Sequence, residues 1–392
     1  MWILTILGFL MAFGITWFTI PSIVYISKLK GLCDNPNGRT SHTNTTPTLG
    51  GIAVFVGIVL STVIFAGTYF KFELKYIISG LIIVFFIGIK DDILIIDPWK
   101  KLAGQIFAVV LIAVFADIRI TNLYGLFYIE QLPYIVSILL TIFVFIVIIN
   151  GFNLIDGIDG LASGIGILTS SVFGIWFWMT GNTAYSVFSF SFVGTLVAFF
   201  CFNVFGKKNK IFLGDTGSLV TGFVMGVLAC RFLQFELNAQ GVADIQSSPA
   251  VVFGILIVPL FDSLRVFILR IVQGKSPFKA DRQHIHHRLL QLGCTHLQAT
   301  LILIFVNLFF IVLSYLLRGI GIIWLMSVIL GLASLMSYIL MILVHGRTKK
   351  LIDTDSAINK IWQRKNKSRK MIEKEPDIRT IRFPSKVNTD LS

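Results

Sequence analysis

The stretch Tyr134-Ile-Val-Ser-Ile-Leu-Leu-Thr-Ile-Phe-Val-Phe-Ile-Val-Ile-Ile-Asn150-Gly-Phe-Asn-Leu-Ile-Asp-Gly-Ile-Asp-Gly-Leu-Ala162 decides the class of the fold. Its first part is an apolar run long enough to cross a membrane. Its second part sets two carboxylates and two carboxamides where that run ends. An ionisable group at membrane depth costs about 2.5 kcal/mol or more, so acids kept in such a place point to function. Asp156 and Asp159 are three residues apart and share a face at helical spacing, while Gly151, Gly157 and Gly160 let backbone and ligand approach closely. A divalent cation with phosphates fits there. Helix capping is the rival reading, because Asp159 stands just before the next apolar run, but capping accounts for one acid and not both.

The rest of the chain has the same character. Of 392 residues 55% are hydrophobic, 36 are Phe and only 14% are charged, which excludes a water-soluble globular enzyme and predicts an all-α polytopic membrane protein. Eleven apolar runs are expected to span, near residues 3–26, 50–70, 76–90, 102–117, 133–150, 161–180, 184–204, 213–232, 249–271, 298–317 and 319–344. Residues 1–345 then form one transmembrane domain and residues 346–392 a basic tail with 13 Lys and Arg against 6 acids, suited to solvent or an anionic lipid surface. Cys33, Cys201, Cys230 and Cys294 show no paired spacing, so no disulfide framework is expected.

Orientation follows from charge. No basic residue precedes the first run and Lys28 and Lys30 follow it, the reverse of a secretory signal, so the run is read as an anchor with the amino end outside. With eleven spans the carboxyl end lies inside. Inner segments then hold 28 of the 33 Lys and Arg, in agreement with the positive-inside rule.

On this topology every polar cluster falls on the inner face. The first, Cys33-Asp-Asn-Pro-Asn-Gly-Arg-Thr-Ser-His42, is turn-rich and offers Arg39 and His42 as phosphate contacts, or as ordinary loop residues. The second is Lys90-Asp-Asp92. Asp91 and Asp92 are predicted at a helix carboxyl end, where the macrodipole disfavours negative charge, so stability does not explain them and Mg²⁺ binding or proton acceptance does. Lys101 and Gln105 share a helical face that can reach an anionic ligand, whereas Asp97 reads as a turn or cap residue. The third cluster is Asn153 with Asp156 and Asp159.

The fourth holds Asn203, Lys207, Lys208, Lys210 and Asp215. Asp215, flanked by glycines at a helix amino end, reads as a cap or as a phosphate-metal ligand, and the lysines need no role beyond the positive-inside rule. The fifth ends in His284, His286, His287 and Arg288. On one helix His284 and His287 would be about 60° apart with His286 turned well away, so zinc is disfavoured and donation to phosphate oxygens preferred. Asp262 and Arg265 read as a mutual ion pair that eases their burial.

Three of these stretches, Asn153-Leu-Ile-Asp-Gly-Ile-Asp-Gly-Leu-Ala162, Phe212-Leu-Gly-Asp-Thr-Gly-Ser218 and Asp281-Arg-Gln-His-Ile-His-His287, resemble the polyprenyl-phosphate N-acetylhexosamine-1-phosphate transferases of glycosyltransferase family 4. The likeness covers nearly all spans and is greatest to the undecaprenyl-phosphate N-acetylglucosaminyl branch. The phospho-muramoyl-pentapeptide branch carries three consecutive histidines, and here Ile285 intervenes.

The resemblance implies Mg²⁺ (or Mn²⁺) as cofactor and two substrates, a UDP-N-acetylhexosamine and undecaprenyl phosphate, at a bacterial inner membrane. It implies no nucleic acid, and it leaves a homodimer open. It further implies Asp215 as main metal ligand with Asp91, Asp92 and Asp156 beside it, and Asp91 and Asp92 organising the carrier phosphate. Asn153, Asp156 and Asp159 face the uridine or pyrophosphate, and Lys101, His284, His286, His287 and Arg288 hold pyrophosphate or sugar. Asn203, Arg39 and His42 are further substrate contacts.

The competing classes are a transporter or flippase, whose acids belong near the midplane of inverted repeats that are not visible here, and a lipid-pyrophosphate hydrolase. The topology makes a direct prediction. Cysteines placed at Ser41, Gly206 and Lys275 should react with an impermeant maleimide from the inner side only, and labelling of any one from outside would break the shared face.

Overall fold

The computed structural model describes residues 2–34, 45–70, 72–94, 96–126, 129–236, 245, 247–274 and 284–372. Arg39 and His42 lie outside the described residues. The elements are α1 (Trp2–Lys30), the two-residue strands β1 (Cys33–Asp34) and β2 (Thr46–Pro47), α2 (Gly50–Ala66), α3 (Glu73–Leu94), and α4 (Pro98–Val110) continued by a π-helical turn, Leu111–Phe115. Then come α5 (Tyr134–Ile155), α6 (Leu161–Met179), α7 (Thr183–Phe205), α8 (Gly214–Glu236), α9 (Ser248–Ile255), α10 (Ile257–Val272), α11 (Ile285–Gln291), α12 (His296–Leu316) and α13 (Ile322–Ile372). The chain is a multi-pass, all-α membrane protein.

Among the described residues eight helices are long and apolar enough to cross a membrane. Of the eleven expected spans, the second is an apolar helix of 17 residues and the third, α3, carries Glu73 and Lys75 at one end and Lys90, Asp91 and Asp92 at the other. The ninth is not one helix: α9 and α10 meet at a bend of 87°. Asn307 of α12 serves the broken backbone, its Oδ1 accepting from Val258 N–H at 3.3 Å and its Nδ2 donating to the Ile255 carbonyl at 3.0 Å. A polar side chain of this kind is what a helix interruption inside an apolar bundle requires.

Two compact units are present, Met1–Tyr338 and Ile339–Ser392, and α13 runs through the boundary rather than ending near the expected start of the tail.

In the first unit α8 is the hub. Every residue from Thr216 to Leu233 is buried, and α2, α3, α5 and α6 pack around it. Its apolar and small residues are therefore distributed all round, as a helix without a solvent or lipid face demands. The closest approach is to α2, where a Cβ on Gly51 would lie 2.1 Å from the Gly217 nitrogen. The first N–H groups of α2 are satisfied from outside the helix, Gly50 and Gly51 donating to the carbonyls of Phe212 (3.0 Å) and Leu213 (2.9 Å) in the segment that leads into α8.

At the opposite end of α8 lies a buried ion pair. Arg231 Nη2 is 2.6 Å from Glu73 Oε1 of α3, Arg231 Nε donates to Tyr185 Oη of α7 at 2.7 Å, and Tyr185 donates to Glu73 Oε2 at 2.8 Å. Phe70, Phe177 and Phe235 surround the Tyr185 ring with centroids 4.9, 5.4 and 5.8 Å away.

Gly51→Ala should force the α2 and α8 backbones apart and lower stability by about 1–3 kcal/mol, the usual result of overpacking. Thermal unfolding in detergent measures it. Gly14→Ala, where an added Cβ meets nothing within 4 Å, should leave the transition where it is.

Candidate active site

The helix ends on the site face bring together four of the five predicted clusters. Asp92, at the end of α3, binds the start of α8: Oδ1 accepts from Asp215 N–H at 2.7 Å, and Oδ2 accepts from Thr216 N–H at 3.0 Å and Thr216 Oγ1 at 2.6 Å. These are orphan donors of a helix amino terminus, met by a side chain from a different helix. Gly214, at φ 72°, leaves room for that carboxylate, since a Cβ there would meet Asp92 Oδ1 at 2.7 Å. Asp92 thus positions α8 beside the other acids of the site.

Its neighbour Asp91 turns elsewhere. Oδ1 accepts from Ile96 N–H at 2.8 Å and Oδ2 lies 2.8 Å from Lys101 Nζ. Lys101 also pairs with Asp215 Oδ1, which accepts from Asn153 Nδ2 at 2.6 Å. Asn153 Nδ2 lies 2.9 Å from Ser218 Oγ as well. One ammonium therefore joins two carboxylates from α3 and α8, and Asn153 of α5 fixes the second. Asp97 is the cap that the sequence suggests, accepting from Trp99 N–H at 2.9 Å. Gln105, one turn along from Lys101, is buried and accepts from Asn150 at 3.4 Å.

Asp156 and Asp159 lie in the turn between α5 and α6. Burial, then the carboxylates of Asp215, Asp92 and Asp159, hold the Asp156 carboxyl well above the usual range. Asp159 does not cap α6; Gly160, at φ 79°, occupies that position. Asp159 Oδ2 instead lies 2.7 Å from Lys210 Nζ and 3.3 Å from His296 Nδ1. Lys210 therefore has a specific partner, contrary to the expectation that charge orientation alone explained it. His296, the first residue of α12, carried no sequence signal beyond the capping box of Thr295 that precedes it.

Asn203 is buried and both ends of its amide serve backbone, Oδ1 accepting from Gly160 N–H at 2.6 Å and Nδ2 donating to the Ile211 carbonyl at 2.8 Å. It ties two loops together at the edge of the site.

The histidines cluster after all. His284 is extended, at φ −61° and ψ 152°, and precedes α11 rather than lying within it, so the one-helix argument that would spread the three rings does not apply. Ring centroids are 5.7 Å apart for His284 and His286 and 4.2 Å for His286 and His287. His286 is 1% exposed, and among the described residues neither of its ring nitrogens has a hydrogen-bond partner. Burial and the neighbouring His287 pull its pKa down to about 3, so the ring is neutral at physiological pH. A Cβ on Gly157 would fall 2.5 Å from His286 Nε2, which places this imidazole against the Asp156–Gly157 turn. Arg288 follows in the same helix, its basicity lowered by burial and by Arg265.

Among the described residues no three His, Cys, Asp or Glu are arranged as a ready metal cage. What the site offers is a group of carboxylates, Asp91, Asp215 and Asp156, bridged in part by Lys101, with a neutral histidine against the turn that carries Asp156. Such a place suits a phosphorylated anion that brings or shares a hard cation.

The sequence profile of glycosyl transferase family 4 matches residues 74–233. The undecaprenyl-phosphate alpha-N-acetylglucosaminyl 1-phosphate transferase of Escherichia coli K12 is 30% identical over 279 residues, covering 70% of this chain and 73% of the relative. The enzyme of that description from Yersinia pestis is 30% identical over 276 residues, 69% of this chain and 72% of its own. The decaprenyl-phosphate N-acetylglucosaminephosphotransferase of Mycolicibacterium smegmatis is 30% identical over 314 residues, 74% and 76%.

Two substitutions separate positioning from chemistry. Asp92→Ala removes the acceptors of three donors at the start of α8 and should cost about 1–3 kcal/mol of stability. Asp215→Asn should melt near the parent temperature yet lower turnover by about 10²-fold or more. Parallel melting and turnover assays test both, and near-parent turnover in Asp215→Asn would reduce that residue to a helix-terminal acid.

Proposed function

As the chain belongs to glycosyl transferase family 4, we propose that it transfers N-acetylglucosamine 1-phosphate from UDP-N-acetylglucosamine to undecaprenyl phosphate, with release of UMP. The observation that carries the reading is the Lys101 ammonium gripped by Asp91 and Asp215 where α3, α4, α5 and α8 converge. The site face is the cytoplasmic face of a bacterial inner membrane, with the amino terminus outside, which is the arrangement the Lys and Arg distribution favours.

A divalent metal fits this centre by its donor set. Asp91, Asp156 and Asp215 offer only carboxylate oxygens, the ligands Mg²⁺ prefers. The raised Asp156 carboxyl marks a place short of positive charge. Asp215 would be the principal ligand with Asp91 and Asp156 beside it. When bound, Mg²⁺ (or Mn²⁺) supplies neutralisation of phosphate-oxygen charge.

The chain's own residues bind and orient. Lys101 carries the positive charge that the donor pyrophosphate meets, Asn153 fixes the rotamer of Asp215, and His286, with His287 beside it, stands against the Asp156–Gly157 turn. An oxygen of the lipid phosphate attacks the β-phosphorus of the UDP-sugar. The bond from that phosphorus to the oxygen shared with UMP breaks, and UMP leaves with the electron pair. A phosphate monoester has a second pKa of about 6 and is largely ionised near neutral pH, so attack needs no strong base. Positioning and charge neutralisation carry the rate.

Purified protein given UDP-N-acetylglucosamine and Mg²⁺ should release UMP only when undecaprenyl phosphate is added, and EDTA should stop it. UMP release that ignores the lipid would sink the reading. Labelled UMP should not exchange into UDP-sugar without lipid; such exchange, lost in Asp91→Asn, would replace direct transfer by a phosphosugar carried on the enzyme.

A further inference from the structure

Asp262 of α10 is 2% exposed, and a carboxylate at that depth needs partners for both oxygens. Oδ2 lies 3.0 Å from His284 Nδ1. Oδ1 accepts from Ile285 N–H at 3.0 Å and from Arg265 Nη2 at 3.2 Å. The ion pair with Arg265 expected from sequence is thus present, but it is the longest of the three contacts and does not by itself call for the other two.

The two remaining contacts act on one short segment. Ile285 opens α11, and His284, the residue before it, gives no side-chain cap to its own helix. The acid from α10 meets the first N–H of α11 and the ring of the preceding residue together. A carboxylate only accepts, so the ring nitrogen that faces it carries the hydrogen, and Nε2 is left as the nitrogen that Asp262 does not engage. The His284 ring lies nearly parallel to that of His286, 6° between planes, and His286 abuts the Asp156–Gly157 turn. The orientation set at His284 therefore reaches the acid side of the cleft through two stacked rings.

We propose that Asp262 is a positioning residue for the transfer, holding His284 as the Nδ1–H tautomer so that Nε2 meets the nucleotide-sugar donor; this rests on the transferase reading above. It assigns the sharp bend between α9 and α10 a purpose, since the bend starts the helix that delivers the carboxylate to the histidine segment.

The first test needs no activity. In ¹⁵N-histidine-labelled full-length protein at about pH 8.5, above the ordinary histidine range, the resonance lost in His284→Gln should show a protonated Nδ1 and a bare Nε2. An Nε2-protonated ring would overturn the assignment. The second test is a cycle. Asp262→Asn keeps an acceptor for Ile285 N–H but can turn its NH₂ toward Nδ1, which should switch the tautomer. With an unchanged melting temperature, kcat/KM should then fall by about 10²-fold or more, since loss of a histidine-orienting carboxylate costs about 10–100-fold at metal sites and about 10⁴-fold in kcat in a catalytic triad. Combined with His284→Gln, it should lower kcat/KM no further than His284→Gln alone.

Losses that multiply, or an unswitched tautomer with full activity, would overturn the proposal. Should Asp262→Asn not fold, the parent spectrum alone decides. A parent that binds but releases no UMP would defeat the transferase reading and leave the tautomer result standing.

Discussion

The Asp92 carboxylate at the foot of α8 is the contact on which the rest of the site depends. α8 is buried from Thr216 to Leu233, so the leading N–H groups of this helix need acceptors supplied by the protein. Asp92 supplies them from α3 and in doing so fixes where Asp215 stands. Asp91, the residue before it, takes other partners, Ile96 N–H and Lys101, and shares Lys101 with Asp215. Two consecutive acids divide the work, one holding the scaffold and the other facing the chemistry.

The helices, and the gathering of acids and histidines on one face, were legible because both rest on local information. Apolar run length predicts spans, and nearly every expected run corresponds to a helix within a few residues of the predicted ends. Motif residues such as Asn153, Asp156, Asp215 and His286 announce themselves by polarity where polarity is costly. Asp97 as a cap was readable from the Pro that follows it.

Long-range pairing was not legible. Lys210 looked like one of three lysines in a basic loop, and only the fold puts it on Asp159, 51 residues away in the chain. Asn203 read as a polar site residue, while the structure spends both ends of its amide on backbone. Asp262 and Arg265, at helical spacing, suggested a self-contained pair, because nothing local shows that His284 returns to the same carboxylate. The break in the ninth span had a local signal in Pro259, which has no N–H for the Ile255 carbonyl, whereas the partner that satisfies that carbonyl, Asn307 of another helix, could not be read from the sequence. Helix geometry cannot place the three histidines because one of them, His284, lies just outside α11.

The ion pair at the far end of α8 has a consequence for where matter can go. Glu73, Tyr185 and Arg231 join α3, α7 and α8 through short contacts in a sleeve of aromatic rings. To part those helices would strand a buried guanidinium and separate it from a half-buried carboxylate, at a cost well above that of the pair together. A rocking motion that opens first one side and then the other is therefore strongly opposed. While these contacts hold, α3, α7 and α8 leave no passage between them at that end of α8.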